Sequence, residues 1–364
     1  MSELFHSLLI DGVLHSDEGI PRWADELVAL HRNAAWTSDL RTTLRELMGP
    51  EHALNTRTSG TTGTPRAHRF SAEDLVASAR LTAQAFGLAP ADRALLCLPC
   101  EFVGGKMMLV RAMVLGLDLH VIDPQGGVLR NLRTTDRFRF AAMVPMQLHT
   151  ALQHDRARVE EQFDTILLGG GPVSEALIER TQGLSTRVSL GYGSTEMLTH
   201  VALRRLNGAD RSDHSTALGE VTFSSDARGC LTVRTPHLSV KEHVTNDMAE
   251  VLDARRMKWM GRFDNVILTG GRKIHPERLE AMTAGIVPYP HFFAALPDER
   301  LGQSVVLVVE TGDTSGKVPE EVMHSVNGVL YDHERPRRVV ALREFSRTGS
   351  GKVERNRTLA QLQA

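Results

Sequence analysis

The stretch Thr58-Ser59-Gly60-Thr61-Thr62-Gly63-Thr64-Pro65-Arg66 restricts the fold more than any other part of this chain. Seven of its nine residues are glycine or hydroxylated, so it reads as a loop, ended by a stiff proline and a cation. Glycines let backbone N–H groups turn toward an anion, hydroxyls add donors, and the Arg66 guanidinium is a planar fork suited to phosphate. By itself such a composition fits a solvated linker as well as a phosphate cradle. Three later segments weigh against the linker: Gly191-Tyr192-Gly193-Ser194-Thr195-Glu196, Gly261-Arg262-Phe263-Asp264 and Gly349-Ser350-Gly351-Lys352.

With 364 residues the chain exceeds one ordinary core, and its length implies roughly two or three domains. Its 41% apolar and 24% charged residues are those of a soluble globular protein. A net charge of −2, with both signs mixed throughout, carries no footprint for nucleic acid. No apolar run approaches the roughly 20 residues of a membrane span, and the residues after Met1 do not read as a signal peptide. Cys97 and Cys100 form a CxxC, but no second pair completes a zinc site, and Ala94-Leu95-Leu96-Cys97 reads as a buried strand. The expected compartment is the cytoplasm.

Helical spacing is found at residues 23–31 and 40–48, and Ser71-Ala72-Glu73-Asp74 is a capping-box start for a helix reaching Phe86. Strand-like runs at 95–98, 119–122, 141–144 and 165–168 alternate with helical runs at 106–115 and 147–153. The last strand ends in Gly169-Gly170-Gly171-Pro172. This alternation predicts a mostly parallel sheet flanked by helices, with ligands bound beyond the carboxyl ends of the strands. Residues 215–260 break into short β-rich pieces (218–224, 230–234, 249–252), which predict a small antiparallel unit. From about residue 265 the pattern is mixed again: strands at 266–268 and 304–310, with a helix near 276–282. The expected class is α/β, with a large N-terminal domain over residues 1–261 and a small mobile α+β lid over 262–364.

Two phosphate-binding alternatives fail on spacing. Gly351-Lys352 is followed by Val353 and position 346 is Ser, so there is no P-loop; Glu196 stands where a dinucleotide fingerprint needs glycine or alanine. The four quoted segments, in their order and separation, resemble the adenylate-forming superfamily of acyl-CoA synthetases, adenylation domains and luciferases, over nearly all of residues 56–355. The resemblance implies that Thr58, Ser59, Gly60, Thr61, Thr62, Gly63 and Arg66 hold the β- and γ-phosphates of ATP. Arg66 replaces the usual lysine. Gly170 and Gly171 would line the adenine and acyl pocket, with Gly191 and Gly193 flanking Tyr192 as it stacks on adenine. Thr195 would contact the α-phosphate and Glu196 would ligate Mg²⁺, a hard ion that favours oxygen. Asp247 would hold the ribose, although Asn246 departs from the usual glycine. Arg262 would touch the nucleotide, Asp264 would be the hinge, and Gly270-Gly271 would border the CoA tunnel. Lys352, in the terminal loop, would reach the reacting carboxylate.

The implied activity is AMP-forming acid–thiol ligation with ATP, Mg²⁺ and CoA. The compact length, with the segments 105–112 and 199–208, resembles the o-succinylbenzoate–CoA ligases of menaquinone biosynthesis. Their substrate has a second carboxylate that is not activated, for which Lys106, Thr199, His200 and Arg204 are the candidates. Glu101-Phe102 departs from the aromatic–histidine pair of many relatives. Another aryl or acyl acid, a carrier-protein pantetheine as acceptor, and a homodimer are left open.

Overall fold

The structure is a computed structural model that describes residues 2–57, 66–125, 127–312, 318–348 and 351–362. Thr58, Ser59, Gly60, Thr61, Thr62 and Gly63 therefore lie outside the described residues.

Six strands run parallel, in the spatial order Ser7–Ile10, Asp118–Val121, Arg93–Leu96, Phe140–Met143, Thr165–Leu168 and Arg187–Gly193. The central strands Phe140–Met143 and Thr165–Leu168 are wholly buried, which is why the runs Phe-Ala-Ala-Met and Thr-Ile-Leu-Leu show no alternation. Beyond Gly193 the chain reverses into His200–Arg205, and the sheet continues antiparallel through Ser215–Ala217, Arg256–Arg262, Glu242–Asp253, Cys230–Arg234 and Thr222–Ser225. Val13–Ser16 closes the opposite edge, giving thirteen strands among the described residues. The β-rich pieces expected as a small unit are thus hydrogen-bonded onto the parallel sheet.

Helix Ala72–Phe86 starts as its sequence specifies. Ser71 Oγ accepts from the Asp74 amide at 3.3 Å, Asp74 returns the bond to the Ser71 amide at 3.4 Å, and Gly87 ends the helix with φ 62°. Helix Val103–Leu115 is buried nearly all round, since it lies between the sheet and helix Ala72–Phe86. Its Gly105 sits against the loop before it: a Cβ there would lie 2.3 Å from the Pro99 carbonyl oxygen.

After Arg262 the chain forms a second, five-stranded sheet from Ile267–Thr269, Arg272–Ile274, His291–Asp298, Gly302–Glu310 and Arg338–Leu342. This sheet has its own core, in which Phe293 and Leu307 pack with Leu279 of helix Pro276–Thr283 and Val326 of helix Glu320–Val329. Helix Pro276–Thr283 packs against Arg256–Arg262 so closely that a Cβ on Gly261 would lie 2.4 Å from Glu277 Oε2. Among the described residues no helix is long and apolar enough to cross a membrane.

Candidate active site

The site forms where the parallel strands end. Gly170, with φ 79°, turns the chain away after Thr165–Leu168. The next strand ends in Gly191-Tyr192-Gly193, which pairs back onto His200–Arg205 across a short turn of 3₁₀ helix, Thr195–Met197. A Cβ on Gly193 would meet the Thr199 carbonyl oxygen at 1.9 Å, and one on Gly191 would meet His200 Cβ at 3.0 Å. The two glycines are thus required by close approach of the strands, and Tyr192 is the one side chain between them. Leu198, fully buried, holds φ 65° and ψ −47°, with the Thr199 amide donating to the Met197 carbonyl at 2.7 Å. This γ-turn in a residue with a side chain costs on the order of 1–3 kcal/mol, and it sits between Glu196 and Thr199.

On one side of this turn, four residues that sequence reasoning singled out separately come together. Tyr192 Oη donates to Asp247 Oδ2 at 2.8 Å, and Arg262 donates to Asp247 Oδ1 and to Asp264 Oδ2, both at 3.3 Å. Asp247 and Arg262 are directly opposed in the antiparallel pair, which fixes that contact. Asn246 donates to Asp264 at 3.3 Å and accepts from Arg228 at 3.0 Å, so the departure at position 246 is built into the same network. Burial, reinforced by the Asp247 carboxylate, pushes the Tyr192 phenol well above its ordinary value and keeps it a proton donor. The approach to this strand is pinned from behind, because buried Asp74 accepts from the Ser239 amide at 2.6 Å and its hydroxyl at 2.9 Å.

Glu196 lies in the 3₁₀ turn, and its charge acts on His243 of strand Glu242–Asp253, as does the imidazole of His68. Burial lowers the His243 pKa, and Glu196 opposes that shift. Arg66 is exposed at the start of strand Ala67–Phe70. Thr195 supplies the carbonyl that closes the turn to the Leu198 amide at 3.0 Å.

On the other side lies a residue that sequence reasoning missed. Arg111, 1% exposed, donates to Thr82 Oγ1 and to Thr199 Oγ1, both at 3.2 Å, with no carboxylate partner among the described residues. Desolvation brings its pKa down to about 10. Thr199 Oγ1 also bonds His200 Nδ1 at 3.2 Å, and His200 Nε2 is buried with no partner among the described residues. Burial, with the nearby Arg111 charge, holds the His200 imidazole well below its ordinary value and therefore neutral. Arg111 falls in a stretch whose other residues are apolar, Met107-Met108-Leu109-Val110 and Ala112-Met113. A charge in the middle of this apolar run, one turn beyond Lys106, was the signal available.

Two further candidates do not join this cluster. Lys106 donates to the Asn55 carbonyl at 2.6 Å and lies 3.9 Å from Glu46, tying its helix to strand Leu54–Arg57. Arg204 donates to the Ser212 carbonyl at 3.0 Å, further along its strand. In the C-terminal sheet, Gly270 and Gly271 form the tight turn of a hairpin with φ 55° and 77°, values that by themselves call for glycine. Lys352 is exposed in area, yet its surroundings desolvate the ammonium enough to lower its pKa, and its amide is held by Thr348 Oγ1 at 3.2 Å.

The sequence pattern of a family described as AMP-binding enzyme matches residues 21–228. A probable 2-succinylbenzoate–CoA ligase of Mycobacterium tuberculosis is 28% identical over 334 residues, covering 85% of this chain and 84% of that protein. The 2-succinylbenzoate–CoA ligase of Salmonella typhimurium is 27% identical, with 82% and 67% covered. Among solved structures, an acyl-CoA synthetase (AMP-forming)/AMP-acid ligase II-like protein from Dyadobacter fermentans is 32% identical, with TM-score 0.58 and 90% and 94% of the two chains covered. The o-succinylbenzoate coenzyme A synthetase of Bacillus subtilis, in complex with ATP and magnesium ion, shares the fold at TM-score 0.70 and 18% identity, with 84% and 69% covered.

Proposed function

The chain belongs to the AMP-binding enzyme family, and on that premise we propose that it is an AMP-forming acid–thiol ligase acting on a dicarboxylic acid, o-succinylbenzoate. The observation that carries the substrate class is Arg111, a guanidinium buried beside Thr199 and His200 with no carboxylate partner among the described residues. A buried cation is costly until an anion meets it. A substrate with one carboxylate to activate and another to anchor supplies that anion, and the ligases named among the relatives act on such an acid.

In the first step an oxygen of the free carboxylate bonds the α-phosphorus of ATP, and pyrophosphate leaves with the bridging electron pair. In the second, a thiol sulfur attacks the acyl carbon and AMP leaves. Tyr192 and Asp247 would bind the nucleoside, with the carboxylate accepting from the ribose hydroxyls while Arg262 and Tyr192 hold it in place. Thr195 would contact the α-phosphate, Arg66 the departing phosphates, and Lys352 would bridge the attacking carboxylate and the α-phosphate as charge accumulates. No group of three or more His, Cys, Asp or Glu among the described residues forms a closed metal cage. A single carboxylate such as Glu196 fits Mg²⁺, which keeps waters and phosphate oxygens as its other ligands. When bound there, the ion would neutralise phosphate charge.

Residues 262–364 would act as a lid turning about Arg262 and Asp264, offering Lys352 for adenylation and the Gly270-Gly271 turn for thiol attack. Such closure excludes water from a mixed anhydride that water would destroy. The acceptor would be CoA. Exchange of labelled pyrophosphate into ATP, scanned over acids with and without a second carboxylate, tests the whole reading. Exchange with o-succinylbenzoate and thioester formation with CoA are expected; activation of simple monocarboxylates alone would overturn the substrate assignment.

A further inference from the structure

Lys352 stands near the tip of a hairpin, and each leg of that hairpin is fastened to the lid by an arginine–glutamate pair that the proposed function leaves without a task. The Ser346 carbonyl accepts from the Glu354 amide and the Lys352 carbonyl from the Thr348 amide, both at 2.8 Å, while Arg347 and Val353 form the bridge between them. On the leading leg Arg347 gives two bonds to Glu310, the last residue of strand Gly302–Glu310, at 2.6 Å and 2.5 Å. Glu310 Oε1 also accepts from the Phe345 amide at 2.7 Å. On the trailing leg Arg355 donates to Glu280 of helix Pro276–Thr283 at 2.6 Å and to the Phe293 carbonyl at 3.3 Å, with Glu277 3.9 Å away. Glu280 in turn accepts from the Phe293 amide at 2.9 Å.

The two pairs form one unit. Arg347 lies over the Phe345 ring at 5.7 Å and Arg355 over the Phe292 ring at 5.4 Å, and these two buried rings meet edge to face at 5.1 Å. Buried Thr358 accepts from the Ser346 amide at 3.1 Å and ties the leading leg to the terminal helix Arg355–Ala360. Exposed ion pairs contribute little, whereas a two-pronged guanidinium–carboxylate pair fixes orientation as well as distance. Burial raises the Glu280 carboxyl although Arg355 opposes that shift, so this pair is held against its own desolvation. Such a pair adds little net stability, and what it contributes is geometry. Arg347 comes shortly before Lys352 and Arg355 shortly after it, so the segment they orient is the one that carries its ammonium.

We infer that Arg347–Glu310 and Arg355–Glu280 are positioning pairs that hold the Lys352 hairpin where adenylation needs it. This rests on the acid-activating reading above, in which Lys352 bridges the attacking carboxylate and the α-phosphate. The four residues touch neither nucleotide nor acid and act through Lys352 alone. A contact made in the transition state is sensitive to a displacement of about 1 Å, so a loosened hairpin lowers the adenylation rate and spares the affinity for ATP. Thiol transfer, which uses the Gly270-Gly271 turn of the same lid, does not depend on the hairpin.

Glu310→Gln and Glu280→Gln test this, because each keeps its shape and an acceptor for the Phe345 or Phe293 amide while removing the ion pair. Pyrophosphate exchange, and thiol transfer from preformed acyl-adenylate, are measured for each variant alone and combined with Lys352→Ala. Each glutamine variant should lower the maximal exchange rate about tenfold, the size of one lost hydrogen bond to a charged group, with the KM for ATP within about twofold. Thiol transfer should keep its wild-type rate. In the Lys352→Ala background the same substitutions should lower exchange no further, since a residue acting through Lys352 has nothing left to position. Unchanged exchange in both glutamine variants, with Lys352→Ala impaired, overturns the inference and leaves the Lys352 assignment standing. An equal fall in exchange and thiol transfer overturns it too, as does a fall that persists without Lys352, because each marks a role in folding the lid. A Lys352→Ala variant that exchanges pyrophosphate like the wild type sinks the Lys352 assignment itself, and this inference with it.

Discussion

Arg262 and Arg111 are two guanidiniums on either side of one turn, and they are held in opposite ways. Arg262 lies at the rim between Asp247 and Asp264, inside a network with Tyr192 and Asn246 in which every charge has a partner. Arg111 is 1% exposed, donates to two hydroxyls and the Met108 sulfur, and has no carboxylate among the described residues. A satisfied network is a scaffold already shaped before any ligand arrives. An unsatisfied buried charge marks what the ligand must supply, and the protein bears the cost of its desolvation until then. On the proposed reading the nucleotide side would be preorganised, while the acid side would be completed by its substrate.

The strongest way to break this comparison is to remove the cation that would join the two sides. Lys352→Ala should lower adenylation on the order of 10²–10³-fold and leave thioester formation from preformed acyl-adenylate largely intact. Equal loss in both half-reactions, measured by pyrophosphate exchange and by direct CoA transfer, would count against a lid with two tasks.

Arg111→Met sharpens the contrast next. Removing an uncompensated charge should raise thermal stability of the free protein by about 1–4 kcal/mol, while kcat/KM for the dicarboxylic acid falls about a hundredfold. Calorimetry and a substrate panel read the two effects separately; a destabilised variant would show that the guanidinium is structural.

Gly193→Ala probes the shared turn, since its Cβ would lie 1.9 Å from the Thr199 carbonyl oxygen. The strands must separate, and a loss of a few kcal/mol in denaturant unfolding is expected, in line with other severe overpacking. Wild-type stability in that variant would mean the strands are not held as described. On the preorganised side, Tyr192→Phe removes one bond to Asp247. It should raise the KM for ATP about tenfold without altering selection among acids.

The smallest effect concerns pH. The His200 imidazole is held well below its unfolded value of 6.5, so its contribution to stability is complete above that value. As the pH drops below 6.5 the unfolded chain takes up a proton that the folded protein refuses, and stability declines. His200→Gln should flatten that part of the unfolding curve, and an unchanged slope would place the loss elsewhere.

Much of this could be read from the residues in order, because the signals were local. The Ser71–Asp74 cap, the strand Thr165–Leu168 and the helix after His275 depend on neighbours a few positions apart, and each falls within a residue or two of its expected place. The strands Ser7–Ile10, Val13–Ser16, His291–Asp298 and Arg338–Leu342 were not read, since short strands owe their existence to partners far along the chain. Gly191 and Gly193 were read as flanking Tyr192, but the reason for two glycines appeared only with Thr199 and His200 packed against them.

The order of motifs in the chain was sufficient by itself to point to the family, and its apolar runs to the alternation of strands and helices. Tertiary structure alone decided which cations are free to meet a substrate. It drew Lys106 and Arg204 into bonds with backbone carbonyls, and it buried Arg111 without a carboxylate partner among the described residues. The physical reason is that the availability of a charge depends on its desolvation and on the groups packed against it, and in a sheet those groups come from distant parts of the sequence.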